Sequence, residues 1–226
     1  VGSTPTTGPS GAHPRIWLSD SATFSRLTSA AKANTANWVR LKDACDTKSP
    51  SYEYQGTEQF RFILANALCY RVTKAISGDA AANPYGKKVI DLLQSTTYPV
   101  LSFTKYSTDS GYGIRNYVPA MAIAYDWLYD YPGLTTSLKS DIATRMKAWL
   151  TWFAVNGYSR GQYIANYDTG HMIAQVLSSI ALYNEDVQSA TLWNDALTHY
   201  NGARTLFDKS MPGGHWPEGW NYGSTV

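Results

Sequence analysis

Apolar residues in this chain return at steps of three and four, and that spacing limits the fold more than any other feature. Phe60, Ile63, Leu64, Ala67, Leu68 and Val72 form one such stripe. Leu138, Ile142, Met146, Trp149, Leu150 and Phe153 form another. Residues spaced this way share one face of an α-helix. A strand face needs every second residue, and only Tyr98–Phe103 and Tyr163–Ala165 are moderate candidates.

Capping residues and helix breakers then divide the chain. Ser19 and Asp20 offer N-cap oxygens to a helix near 20–33, and a second covers 35–46 with Trp38 and Leu41 facing inward. A third starts at Thr57-Glu58 and ends at Gly78. Asn83-Pro84 opens the next, which Pro99 closes. Residues 100–113 read as irregular. A long helix through Val118, Met121, Ala122, Tyr125, Leu128 and Tyr129 is broken by Pro132-Gly133. Helices near 135–155, 168–183 and 188–209 complete the chain. The reading is all-α: antiparallel helical hairpins of roughly 40–50 residues each, in an array or toroid.

Composition removes several classes of function. Of the 226 residues, 44 % are hydrophobic, too many for a disordered chain. Charges of 19 Lys+Arg and 17 Asp+Glu leave a net +2, which excludes the usual basic nucleic-acid binder. No apolar run approaches the roughly 18 residues of a membrane span. Aromatic residues reach 14 %, enough to furnish a stacking surface for sugar rings as well as a core. Cys45 and Cys69 are too few for a disulfide framework and form either one bridge or two buried thiols. No metal-binding spacing such as CxxC occurs, and no cofactor is expected, a structural metal in a later region of a longer chain apart. Residues 1–12 have the Gly/Ser/Thr/Pro composition of a flexible linker, and 13–226 form the helical domain. Such a linker fits the stretch after a removed signal peptide or a lipid-anchored cysteine. A secreted, periplasmic or cell-surface bacterial protein is expected.

Two segments concentrate chemistry. Met211–Gly223 brings His215, Trp216, Glu218, Trp220 and Tyr222 together among glycines and prolines, a composition that excludes a helix interior. Asn166-Tyr167-Asp168-Thr169-Gly170-His171 lies where a loop enters a helix; Asn166 or Asp168 can cap it, and His171 and Gln175 share its face.

These segments resemble the helical domain of the heparinase II/III-like polysaccharide lyases, a superfamily that includes alginate lyases. His13-Pro14-Arg15-Ile16-Trp17-Leu18 is similar to the opening of that domain. Arg115 followed by Ala122-Ile123-Ala124-Tyr125-Asp126-Trp127-Leu128 resembles its AYDWL helix, Asn166 to His171 its Asn/His helix start, and Gly213-Gly214 to Glu218-Gly219 and Tyr222 its G…EG..Y loop. The resemblance implies an incomplete (α/α) toroid, here the N-terminal part of a longer polypeptide.

It also implies β-elimination on a uronic-acid glycan. The C5 hydrogen of a uronate leaves as a proton only when the neighbouring carboxylate is neutralised or hydrogen-bonded. Asn166 and His171 are the candidates for that task, and Tyr222 for the acid and base. Arg115, His215, Trp216, Glu218 and Trp220 are the candidate substrate-binding residues; Arg115 alternatively pairs with Asp126. The expected partner is an acidic polysaccharide or oligosaccharide. One alternative is an inverting glycoside hydrolase using Asp168 and Glu218. A second is a non-catalytic glycan-binding or extracellular scaffold protein. Outside these segments, Asp126 is expected to be structural, His13 to pack the opening segment and His199 to be solvent-exposed.

Overall fold

The computed structural model describes residues 7–9, 11–48, 50, 55–95, 108–163 and 165–210. Among them the secondary structure is entirely helical. Eight α-helices follow one another: α1 Ser21–Lys32, α2 Ala36–Thr47, α3 Thr57–Ser77, α4 Asp79–Leu93, α5 Ile114–Trp127, α6 Thr136–Asn156, α7 Asn166–Leu182 and α8 Ser189–Ser210. A short turn, Thr108–Gly111, precedes α5. Tyr163 and Ala165 lie in turn and bend, not in a strand. Tyr98–Phe103 lies outside the described residues.

The caps act where the sequence offers them. Asp20 accepts from the backbone N–H groups of Ala22 and Thr23 at the start of α1, and Thr135 accepts from Leu138 N at the start of α6. One boundary differs from expectation. Helix α4 begins at Asp79, so Pro84 lies inside it. Proline removes one helical hydrogen bond, here to the carbonyl of Ala80. Ala80 is exposed, so that carbonyl is not sealed in the core. Gly78 alone separates α3 from α4, at φ +81°, a left-handed value that glycine adopts without cost to a Cβ.

Helices pack alternately. α3 packs on α4 and α5, and α5 packs on α6 and α7; α7 in turn packs on α8. Thus α3, α5 and α7 form one layer, with α4, α6 and α8 as their partners. Helix α5 is the middle of the molecule, buried on every side from Tyr117 to Trp127. Ala120, Ala122 and Ala124 keep its neighbours close.

The opening segment is bound to α5 through a buried carboxylate. Asp126 is fully buried and accepts from the backbone N–H groups of Arg15 and Ile16 at 2.8–2.9 Å and from the His13 ring at 2.5 Å. Its role is structural. The Trp127 indole donates to Ile16 O at 2.9 Å. Cys45 of α2 and Cys69 of α3 are joined as a disulfide, which settles the pairing that composition left open.

Candidate functional site

The turn from α6 to α7, the first half of α7 and the middle of α8 enclose an open cleft of about 320 Å³. Three α7 residues reach it: Asp168, His171 and Gln175. Their spacing of three and four places them on one helical face. From α8 come Asp195, Thr198 and His199, and from the turn Arg160, Gly161 and Tyr163.

His199 is the hub of the cleft. Its Nε2 lies 2.8 Å from Asp168 Oδ2 and its Nδ1 2.5 Å from Gln175 Oε1. Asp168 is buried, and its other oxygen accepts the Gly161 N–H at 2.8 Å. One carboxylate therefore ties the turn, α7 and α8 together. It is not the helix cap: Ala165 holds that position, with no side-chain cap. The expectation that His199 is solvent-exposed is corrected here; its side chain is only 11 % exposed. The physical reason is its place on the inward face of α8, between the buried Ala196 and Ala203.

His171 stands beside this hub, its ring centroid 5.6 Å from that of His199. Phe153 of α6 stacks on it at 4.5 Å. Burial, reinforced by the nearby His199, pushes its pKa down to about 4, so the ring is neutral near pH 7. Its Nε2 donates to Leu150 O at 3.3 Å. That bond fixes the tautomer and leaves Nδ1 as the ring's acceptor. A neutral imidazole with one basic nitrogen at an open cleft can take up a proton or accept a hydrogen bond from a ligand hydroxyl.

Asn166 and Arg115 lie away from the cleft, Asn166 on another face of α7 and Arg115 on α5. Asn166 is buried and does not line the cleft. It lies one helical turn before Gly170, and Gly170 abuts the Arg115 side chain of α5. The Arg115 guanidinium sits 4.9 Å over the Tyr112 ring. It does not pair with Asp126, which holds the opening segment instead. His215, Trp216, Glu218, Trp220 and Tyr222 lie outside the described residues.

Sequence reasoning proposed His171, gave Asp168 to a helix cap or to the hydrolase alternative, and noted Gln175 only as sharing the face of His171; all three line the cleft because they follow one another along a single helix. It missed Arg160, Gly161 and Tyr163 of the turn and Asp195, Thr198 and His199 of α8. The available signal for His199 was its register with Ala196 and Ala203 on α8.

Among the described residues, no group of three or more His, Cys, Asp or Glu side chains could hold a metal ion, and no helix is long and apolar enough to cross a membrane. In comparisons with known proteins, no family model, no curated protein and no solved structure matches this chain.

Proposed function

We propose that the α7–α8 cleft binds an acidic glycan and cleaves it by β-elimination, on an arc of an (α/α) toroid of heparinase II/III-like type. The observation that carries this reading is the pairing of two imidazoles in one open cleft. One, His171, is neutral with Nδ1 as acceptor; the other, His199, is oriented by a buried carboxylate. In this reading His171 takes the C5 proton of a uronate, and a phenol, Tyr163 or Tyr222, protonates the departing glycosidic oxygen. The Gln175 side-chain N–H groups take the carboxylate-facing task that the sequence assigned to Asn166, and His199, bonded to Gln175 Oε1, holds that amide in place. The alternating packing of α3, α5 and α7 against α4, α6 and α8 supports the toroid. The Cys45–Cys69 disulfide supports an oxidising, extracytoplasmic compartment.

Both Asp168 oxygens are already engaged, by Gly161 and His199. That weighs against Asp168 as one of two free hydrolytic carboxylates.

The test is incubation of the protein with alginate-, heparin- and chondroitin-like chains. The ultraviolet absorbance of newly unsaturated uronate ends is followed, and His171→Ala abolishes its rise. New reducing ends without unsaturation would identify a hydrolase instead. Binding without cleavage would identify a glycan-binding scaffold.

A further inference from the structure

The turn that joins α6 to α7 carries a feature that the cleft's imidazoles do not use. Tyr158 is 62 % exposed. Its backbone N–H donates to Ser110 O at 3.2 Å, which fastens this turn to the one before α5. Its ring meets Tyr167 edge-on with centroids 5.2 Å apart, and Tyr167 meets Tyr112 in the same way at 5.2 Å. The Tyr167 hydroxyl donates to Asp109 Oδ1 at 2.9 Å. A ring buttressed like this gives up little side-chain entropy when a ligand settles on it.

The backbone of the two touching turns is strained. Asp109, Ser110 and Ser159 have φ of 49°, 53° and 55°. Left-handed conformations at non-glycine residues cost free energy and persist only where surrounding contacts impose them. Here Ser159 separates two side chains with different directions: Tyr158 stands on the surface, and Arg160 lines the cleft. Two residues apart, their Cα atoms lie at most about 7 Å from each other. Arg160 is exposed and joins no ion pair among the described residues. Asp195, on the α8 side of the cleft, repels an anion from that wall.

The geometry points to a uronate-reading subsite on this turn: the Tyr158 ring stacks on the apolar face of one pyranose outside the cleft, and the Arg160 guanidinium pairs with the carboxylate of the next sugar of the chain, inside it. A planar guanidinium matches a carboxylate through two parallel hydrogen bonds, and an aromatic face suits the C–H face of a sugar ring. This inference rests on the glycan reading above and adds the two residues of the turn that select a uronate.

The test titrates the full chain calorimetrically with a uronate oligosaccharide, and with the same oligosaccharide after its carboxyls are reduced to alcohols. Wild type binds the uronate more tightly. Tyr158→Ala weakens both ligands about tenfold, the scale of one ring-stacking contact. Tyr158→Phe binds both like wild type, because stacking uses the ring and not the hydroxyl. Arg160→Gln weakens the uronate about tenfold, leaves the reduced ligand unchanged and flattens the salt dependence. All three variants melt with the wild type, since both positions are exposed. Wild-type binding by Tyr158→Ala, or equal weakening of both ligands by Arg160→Gln, overturns the subsite while the glycan reading stands. If wild type binds neither oligosaccharide, the glycan reading falls and the subsite with it.

Discussion

Asp168 and His199, 31 residues apart in the chain, meet with Oδ2 2.8 Å from Nε2 across the contact of α7 with α8. The same carboxylate receives the Gly161 N–H, so it is a three-way junction of turn, helix and helix. Removing it by Asp168→Ala leaves a backbone amide and an imidazole without their acceptor. A loss of roughly 3 kcal/mol in urea unfolding is expected, the scale of charge-assisted bonds lost from a buried site. Asp168→Asn keeps the shape and an acceptor for Gly161, and is expected to cost about 1 kcal/mol. Wild-type stability in the alanine variant would show that the junction holds nothing.

The lowered pKa of His171 sets a pH dependence of stability. Its ordinary value is 6.5, and burial brings it to about 4. Above pH 6.5 the ring is neutral in folded and unfolded chains alike, and pH has no effect through it. Between 6.5 and about 4 the unfolded chain takes the proton and the folded chain does not. Stability therefore falls as pH falls across that window, and the fall from this group stops below about 4. The full loss is on the order of 3 kcal/mol. Unfolding midpoints measured across the window should slope in wild type and flatten in His171→Gln, and the ring's NMR resonances should titrate near the lower end. A ring titrating near 6.5 would show that burial does not disfavour its protonated form and would remove this pH dependence of stability.

Two opposing effects meet at Gly170. Glycine inside a helix is disfavoured, so alanine would gain about 1 kcal/mol from helix propensity alone. An added Cβ, however, would stand 2.6 Å from Arg115 Cβ. That atom is anchored to the α5 backbone and cannot swing away. Overpacking of this kind costs about 1–3 kcal/mol, so the clash wins and Gly170→Ala is expected to be net destabilising. Because the displacement separates α5 from α7, thermal unfolding should register it without any ligand. A melting temperature above wild type would mean that the two helices yield more easily than their burial implies.

The helical class and seven of the eight helix positions were legible because burial here follows one stripe per helix, and a stripe is visible as spacing. The start of α4 was not, because Asn83-Pro84 carries a strong local start signal while Gly78 permits an earlier one. The α7 wall of the cleft was legible for the same local reason: Asp168, His171 and Gln175 are neighbours on one helix. The rest depends on which helix packs on which, and no local pattern encodes that. His199 acquires its partners only when α8 lies against α7, and Arg160 and Tyr163 only when the turn folds back onto Asp168.

The disulfide should act unevenly. It joins α2 to α3 with a sequence separation of 24 and Cα atoms 6.7 Å apart. Closing a loop of that size in the unfolded chain stabilises the fold by roughly 3 kcal/mol in the chain-entropy view. The two helices it joins are not equally secure. α3 is wedged between α4 and α5, whereas α2 packs on α1 and α3 at the periphery. Reduction, or Cys45→Ser with Cys69→Ser, should therefore lower the melting temperature by roughly 10 °C. It should also raise amide hydrogen exchange first in α2, while α5 keeps its protection until the whole domain opens. Peripheral helices held by a covalent tie open locally when it is cut; a central helix opens only with the core. Equal acceleration of exchange in α2 and α5 would show that the bridge stabilises the domain as one unit and not its margin.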